Sequence, residues 1–235
     1  MRWLLFLLLS SLALAQGVTV GPKVTVGPKV TLGVGTSGGG GGVFASICST
    51  SNAGSGLTSQ NCTGTIAANT LIVVTTQYTG CTDTLGLTYT QDLGAGALSI
   101  YHANSSSSSG SDTITCTGGG SLTFAILYAG SYTGMVGTTD GTPAGNTATS
   151  TNPELGGAVT TTHAADICMG IADQAAAPAT LTPSGGWTSR FTNANTAAVY
   201  IDQTESSTGT YTASWANSST GHSASALTAC YKISP

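Results

Sequence analysis

From Val43 onward the chain reads as short runs in which apolar or β-branched residues alternate with small polar ones, separated by Gly, Ser, Asn and Pro. A period of two is that of an extended strand with one buried face. Ala97 to His102, Ser111 to Thr117, Ala197 to Thr204, Gly209 to Trp215 and Ser223 to Lys232 all carry it. Leu71-Ile72-Val73-Val74 and Leu122 to Tyr128 are instead continuous apolar runs, short enough for strands covered on both faces. With Asp83 to Tyr89, Gly156 to Thr162 and Asp166 to Ala172 added, the pattern predicts roughly ten to twelve strands. No amphipathic helix longer than two turns is expected, and Ala175 to Ala177 offers a single turn before Pro178. The fold class is therefore all-β, an antiparallel β-sandwich or jelly roll. A β-solenoid would need a fixed period of roughly 20 to 50 residues, and none follows residue 35.

The first 42 residues do not share this pattern. Met1-Arg2-Trp3, the apolar run Leu4 to Leu14 and the small-x-small end Ala13-Leu14-Ala15 make residues 1–15 a signal peptide. The run is shorter than the roughly 20 residues a bilayer span requires, so the expected product is secreted or held at the cell surface, with no membrane span. Residues 16–35 repeat a short unit, Val18-Thr19-Val20-Gly21-Pro22-Lys23 and then Val24-Thr25-Val26-Gly27-Pro28-Lys29. Each Pro removes a ladder donor, which argues for an extended leader over a central strand. The sharper reading is self-association, with the leader adding to a sheet edge of a neighbouring copy. Residues 36–42 contain five consecutive glycines and read as a flexible hinge, leaving 43–235 as one domain.

Composition supports export. The chain holds 41 Thr, 28 Ser and 33 Gly but only 14 charged residues, where an ordinary domain is about a quarter charged. Hydroxyls have taken over the solvation of the surface. The six cysteines, Cys48, Cys62, Cys81, Cys116, Cys168 and Cys230, show no C-x-x-C spacing and read as disulfides in an exported chain. Nearness and strand pairing favour Cys48 with Cys62, Cys81 with Cys116, and Cys168 with Cys230. From Val43 onward nine acidic residues face only Arg190 and Lys232, a formal charge of −7 that repels nucleic acid. Lys23 and Lys29 in the leader would complement that acidic domain in a second copy.

Several strings also resemble an uncharacterised β-sandwich module of secreted bacterial proteins. They are Asn69 to Val74, Thr82 to Thr90, Leu98 to Ala103, Ile126 to Gly130, Gly185 to Phe191 and Ser206 to Ala213, spread over about residues 66–233. The resemblance implies a β-sandwich and no assigned activity. The six cysteines and the leader repeat depart from the commoner form of that module.

Catalytic signals are sparse. Gly221-His222-Ser223-Ala224-Ser225 lacks the final Gly of a nucleophile elbow and precedes a strand. His163 with Asp166 could form a base and its orienter, and Asp202 with Glu205 could offer the paired carboxylates of a glycosidase. The first combination arises easily by chance in a Ser-rich chain, and Asp202 and Glu205, flanking the end of one strand, read more simply as solvated turn residues, so no catalytic residue is assigned. No metal residue is assigned either; calcium is the plausible ion, with Asp140-Gly141-Thr142 as its loop, although that string is more simply a turn. Glycan binding is more tenable, with Trp187, Trp215, Tyr132 and Tyr211 as aromatic platforms. The competing reading has Trp187 plugging one end of the sandwich and the tyrosine hydroxyls at the surface. The T-x-T strings Thr113-Ile114-Thr115 and Thr210-Tyr211-Thr212 look scattered, which argues against an ice-binding face. The expectation is a non-enzymatic structural or adhesive unit, with a carbohydrate-binding domain as the alternative and a secreted hydrolase as a distant third.

Overall fold

The computed structural model describes residues 42–105, 107–174, 180–193 and 197–234. The signal peptide, the leader, residues 36–41 of the hinge and the turn at Ala175 to Ala177 lie outside the described residues. Among the described residues there are seventeen strands and no helix. β1 (Val43–Ile66), β2 (Thr70–Thr76), β3 (Gly80–Thr82), β4 (Thr90–Ala95), β5 (Leu98–Asn104) and β6 (Gly110–Thr133) build the first sheet. Its order is β1-β6-β2-β5-β4, with β3 also on β6. Then come β7 (Met135–Thr139), β8 (Ala144–Thr149), β9 (Glu154–Leu155), β10 (Val159–Thr160), β11 (Asp166–Gln174) and β12 (Leu181–Pro183). β13 (Thr188–Asn193), β14 (Ala198–Glu205), β15 (Thr210–Tyr211), β16 (Ser214–Asn217) and β17 (Ser223–Ile233) complete the set. The second sheet runs β13-β14-β11-β17-β7, with β8 also on β17; β12-β16-β9 and β10-β15 are small sheets. Every pairing is antiparallel.

Strand alternation decides which residues meet. Leu71 and Val73 of β2, Leu98 and Ile100 of β5, and Ile126 and Tyr128 of β6 pack against Ile167, Met169 and Ile171 of β11 and Leu227 and Tyr231 of β17. This is the interior of an antiparallel sandwich. The intervening residues do not face water. Ile72, Val74, Tyr101, Ala125 and Leu127 form a second core with Ile47, Ile66, Ile114 and Cys116. On the far side of the second sheet, Ala172, Val199, Ile201 and Ala226 gather around Trp215. Both main sheets are thus covered on both faces, which explains why β2 is buried along its whole length and reads as an unbroken apolar run.

The cover over the first sheet comes from its own strands. β1 and β6 pair from Val43↔Thr133 to Ile66↔Gly110, with register shifts on either side of Leu57. At that corner Gly118, Gly119 and Gly120 have φ of 90°, 82° and 89°, a region that side chains with a Cβ rarely enter. The ribbon bends there and lays its distal half over its proximal half. The Cβ of any residue replacing Gly64 would run into the Ile47 carbonyl, and the Cys48–Cys62 disulfide ties one β1 strand to itself. Cys81–Cys116 and Cys168–Cys230 each join directly opposed residues of neighbouring strands.

Three strand expectations need correction. Asp83 to Tyr89 is not a strand: the Asp83 carboxylate accepts from the Leu87 N–H and the Asp112 carboxylate from the Thr84 N–H, so side chains replace the ladder. Its alternation survives as packing, since Leu85, Leu87 and Tyr89 rest on the second core. Gly156 to Thr162 keeps a ladder only in β10, and Gly209 to Trp215 splits into β15 and β16. Between those pieces the Ala213 N–H donates to Thr228 Oγ1 and the Ala213 carbonyl accepts from Gly156, which carries the chain from one small sheet to the other.

Candidate functional site

A groove of about 890 Å³ runs along the seam between the two main sheets. Leu122 and Phe124 of β6, with Gln77 after β2, line it on one side; Asp173 and Gln174 of β11 and Ser223 and Ser225 of β17 line the other. β6 supplies both the interior and the rim because its apolar run ends at the glycine corner, where Phe124 is left half-buried against the sandwich interior. Thr123, Thr147 and Thr149 add hydroxyls.

The polar groups here are held in place. Gln77 Nε2 donates to Asp173 Oδ2 at 2.7 Å, and burial pushes the Asp173 carboxyl up to about 6. Gln174 donates to the Ser219 carbonyl at 2.8 Å and accepts from Asn217 Nδ2 at 2.7 Å. Among the described residues no Lys or Arg lines the groove. Such a surface offers fixed amides, hydroxyls, one aromatic ring and one adjustable carboxyl, a set suited to an uncharged polyhydroxyl ligand.

The four aromatic platforms expected from the sequence do not converge. Trp215 is fully buried against Leu181, Val199 and Ile201, and Gly170 makes its room, since a Cβ there would come within 2.9 Å of Trp215 Cη2. Tyr132 is also fully buried, its hydroxyl 2.7 Å from that of Tyr200 and donating to Asp202 at 2.9 Å. Neither can stack on a ligand, and the Tyr132 hydroxyl is not at the surface. Trp187 and Tyr211 are half-buried and pack around the Cys168–Cys230 bridge. The Tyr211 hydroxyl donates to the Ser207 carbonyl at 2.5 Å. Neither lines the groove.

The chemical pairs rearrange too. Asp202 and Glu205 are buried on β14 and are not the solvated turn residues expected; standing three residues apart, they project to opposite faces of the sheet and cannot flank one scissile bond. Asp202 is gripped by Arg190 Nε at 2.8 Å, with the guanidinium 4.6 Å over the Phe44 ring. His163 Nδ1 lies 3.7 Å from Asp166 but 2.8 Å from the Ala165 carbonyl, which it serves first. Asp140 accepts from the Thr162 N–H and hydroxyl and from the His163 N–H at 2.6–2.8 Å. Although burial opposes it, these bonds and Lys232 hold that carboxyl below its usual value. Its oxygens close a turn, and among the described residues no group of three His, Cys, Asp or Glu is placed to hold a metal ion.

One arrangement went unforeseen. His102 Nδ1 lies 2.8 Å from both oxygens of Asp92, which also accepts from Tyr231 at 2.5 Å. The register shift between Gln91 and Leu93 turns Asp92 inward beside Leu93, a parity change that strict alternation hides. Among the described residues no Ser or Thr hydroxyl bonds the other His102 nitrogen, so the pair reads as an interior clamp between the sheets.

No family model matches this chain, and neither a curated protein nor a solved structure is similar to it. The functional reading therefore rests on the groove. Among the described residues no helix is long and apolar enough to cross a membrane.

Proposed function

We propose that the chain is an extracellular, non-enzymatic adhesive module that holds a neutral polyhydroxyl ligand, a glycan, in the groove between its sheets. The observation that carries the reading is the groove's lining: Phe124, Gln77, Asp173 and a series of hydroxyls, with no Lys or Arg among the described residues. Neutral sugars are held by an aromatic face and fixed hydrogen-bonding groups, and weak contacts of that kind become adhesive when several copies act together. Export is supported by the signal-peptide pattern and by three disulfides, which persist in oxidising surroundings. The leader and hinge would then serve as a tether that gives the groove reach.

Affinity electrophoresis through gels containing neutral polysaccharides tests this. The mature protein should be retarded by at least one of them, and Phe124→Ala or Asp173→Asn should abolish the retardation without lowering the melting temperature much. Unretarded migration across the panel would reject the glycan reading, and release of reducing sugar would reject the non-enzymatic one.

A further inference from the structure

The distal half of the β1–β6 ribbon carries a second surface, unrelated to the groove. Gln60, Cys62 and Ile66 of β1 and Asp112, Ile114 and Cys116 of β6 are buried, while Ser59, Asn61, Thr63 and Thr65 are exposed. On β6 the outward positions are Ser111, Thr113, Thr115 and Thr117, each half-buried or exposed. Register sets them side by side: Thr65 with Ser111, Thr63 with Thr113, Asn61 with Thr115 and Ser59 with Thr117. β3 widens the patch by placing Thr82 beside Thr115. The T-x-T string that looks scattered in the sequence is therefore the middle row of an ordered hydroxyl array.

Sheet geometry fixes the spacing of that array at about 4.8 Å between strands and about 6.7 Å along each strand. The Thr63 and Thr113 hydroxyls are 2.8 Å apart, the ordinary separation of hydrogen-bonded oxygens. In tetrahedrally bonded water, directly bonded oxygens stand about 2.8 Å apart and second neighbours about 4.5 Å. The Thr63–Thr113 pair matches the first separation. The strand spacing, which sets the distance between hydroxyls of adjacent strands that are not bonded to each other, is close to the second. We propose that this face binds the surface of ice. Threonine suits the task because its methyl group excludes loosely held water while its hydroxyl can take a lattice position.

Charge and rigidity fit the same occupant. An ionised group would keep its own hydration shell against an uncharged lattice, and no carboxylate or basic group points outward from the array. Asp112 faces inward and takes the Thr84 N–H and hydroxyl, and Asp83 takes Leu87 and Tyr89. Directly beneath the array lie two disulfides, Cys48–Cys62 and Cys81–Cys116. They hold the rows in one geometry, so little ordering is left to be done when the rigid partner binds. The absence of an outward aromatic ring disfavours a sugar as the occupant.

The test grows ice slowly from a solution of the fluorescently labelled mature protein. The wild type should be taken into the ice, and Thr115→Tyr and Thr63→Lys, both at outward positions, should be left in the liquid with unchanged circular dichroism and disulfide content. Asp173→Asn, in the groove, should enter the ice like the wild type, which separates this proposal from the glycan reading. Exclusion of the wild type, uptake of the two face variants, or loss of uptake on changing Asp173 would each overturn it. Retention of a glycan that is lost in the Thr115→Tyr variant would replace ice by a saccharide and overturn it as well.

Discussion

Burial holds two carboxyls of β11 up at about 6: Asp166, with added repulsion from Asp140, and Asp173, against the pull of Gln77. In an unfolded chain both would titrate near 3.8. Over that interval the folded protein binds more protons, so their contribution to stability is full below about pH 4 and is lost as pH rises through about 6. Burial raises Glu154, Asp202 and Glu205 in the same sense, while Asp140 runs the other way and loses its contribution as pH falls. The melting temperature should therefore decline between about pH 4 and pH 7, and Asp166→Asn should flatten the decline. A melting temperature that climbs over the same range contradicts the assignment. At this scale the sequence was least informative. Trp215 and Tyr132 are aromatic residues on strands whichever face they occupy, and only the small sheet over Gly170 and the Asp202 carboxylate explain why both point inward. Asp92 and His102 stand ten residues apart with nothing between them to announce a bulge.

The β1–β6 ribbon depends on a bridge between two residues of one strand. Cys48 and Cys62 are separated by 14 residues, and closing a loop of that size stabilises a fold by about 3 kcal/mol in the chain-entropy view. Replacing both by Ala should lower the melting temperature by several degrees and expose the second core, read as increased dye binding, while the sandwich interior persists. Equal stability with and without the pair would mean that the glycine corner alone sets the fold-back. β1 was not legible beforehand because its middle, Ser49 to Gly56, is made of Ser, Thr, Asn, Ala and Gly, with no large apolar residue to mark a period. β2 and the apolar part of β6 were legible as unbroken apolar runs, as strands buried on both faces are, and β5 was legible by its alternation. The disulfides follow strand pairing: one lies within β1, and the other two join opposed residues of neighbouring strands 35 and 62 residues apart.

For the whole molecule, alternation and composition sufficed for an all-β antiparallel sandwich. They did not convey that each main sheet is covered twice, because the covers are built from Ser- and Thr-rich segments that also make ordinary solvent-facing strands. The groove escaped notice for a related reason: its residues come from β6, β11 and β17 and share no local string. The grip on Arg190 has a further consequence, for attack by proteases. A protease that cuts after basic residues finds only Arg190 and Lys232 from Val43 onward. Arg190 sits at the bulge of β13, bonded to Asp202 and stacked on Phe44, and Lys232 is the penultimate residue of β17, paired with Asp166 of β11. Trypsin should trim the leader at Lys23 or Lys29 and leave the rest as one resistant fragment, whereas Asp202→Ala should open a cut at Arg190. Scarcity of charge thus doubles as durability against proteases that cut after basic residues.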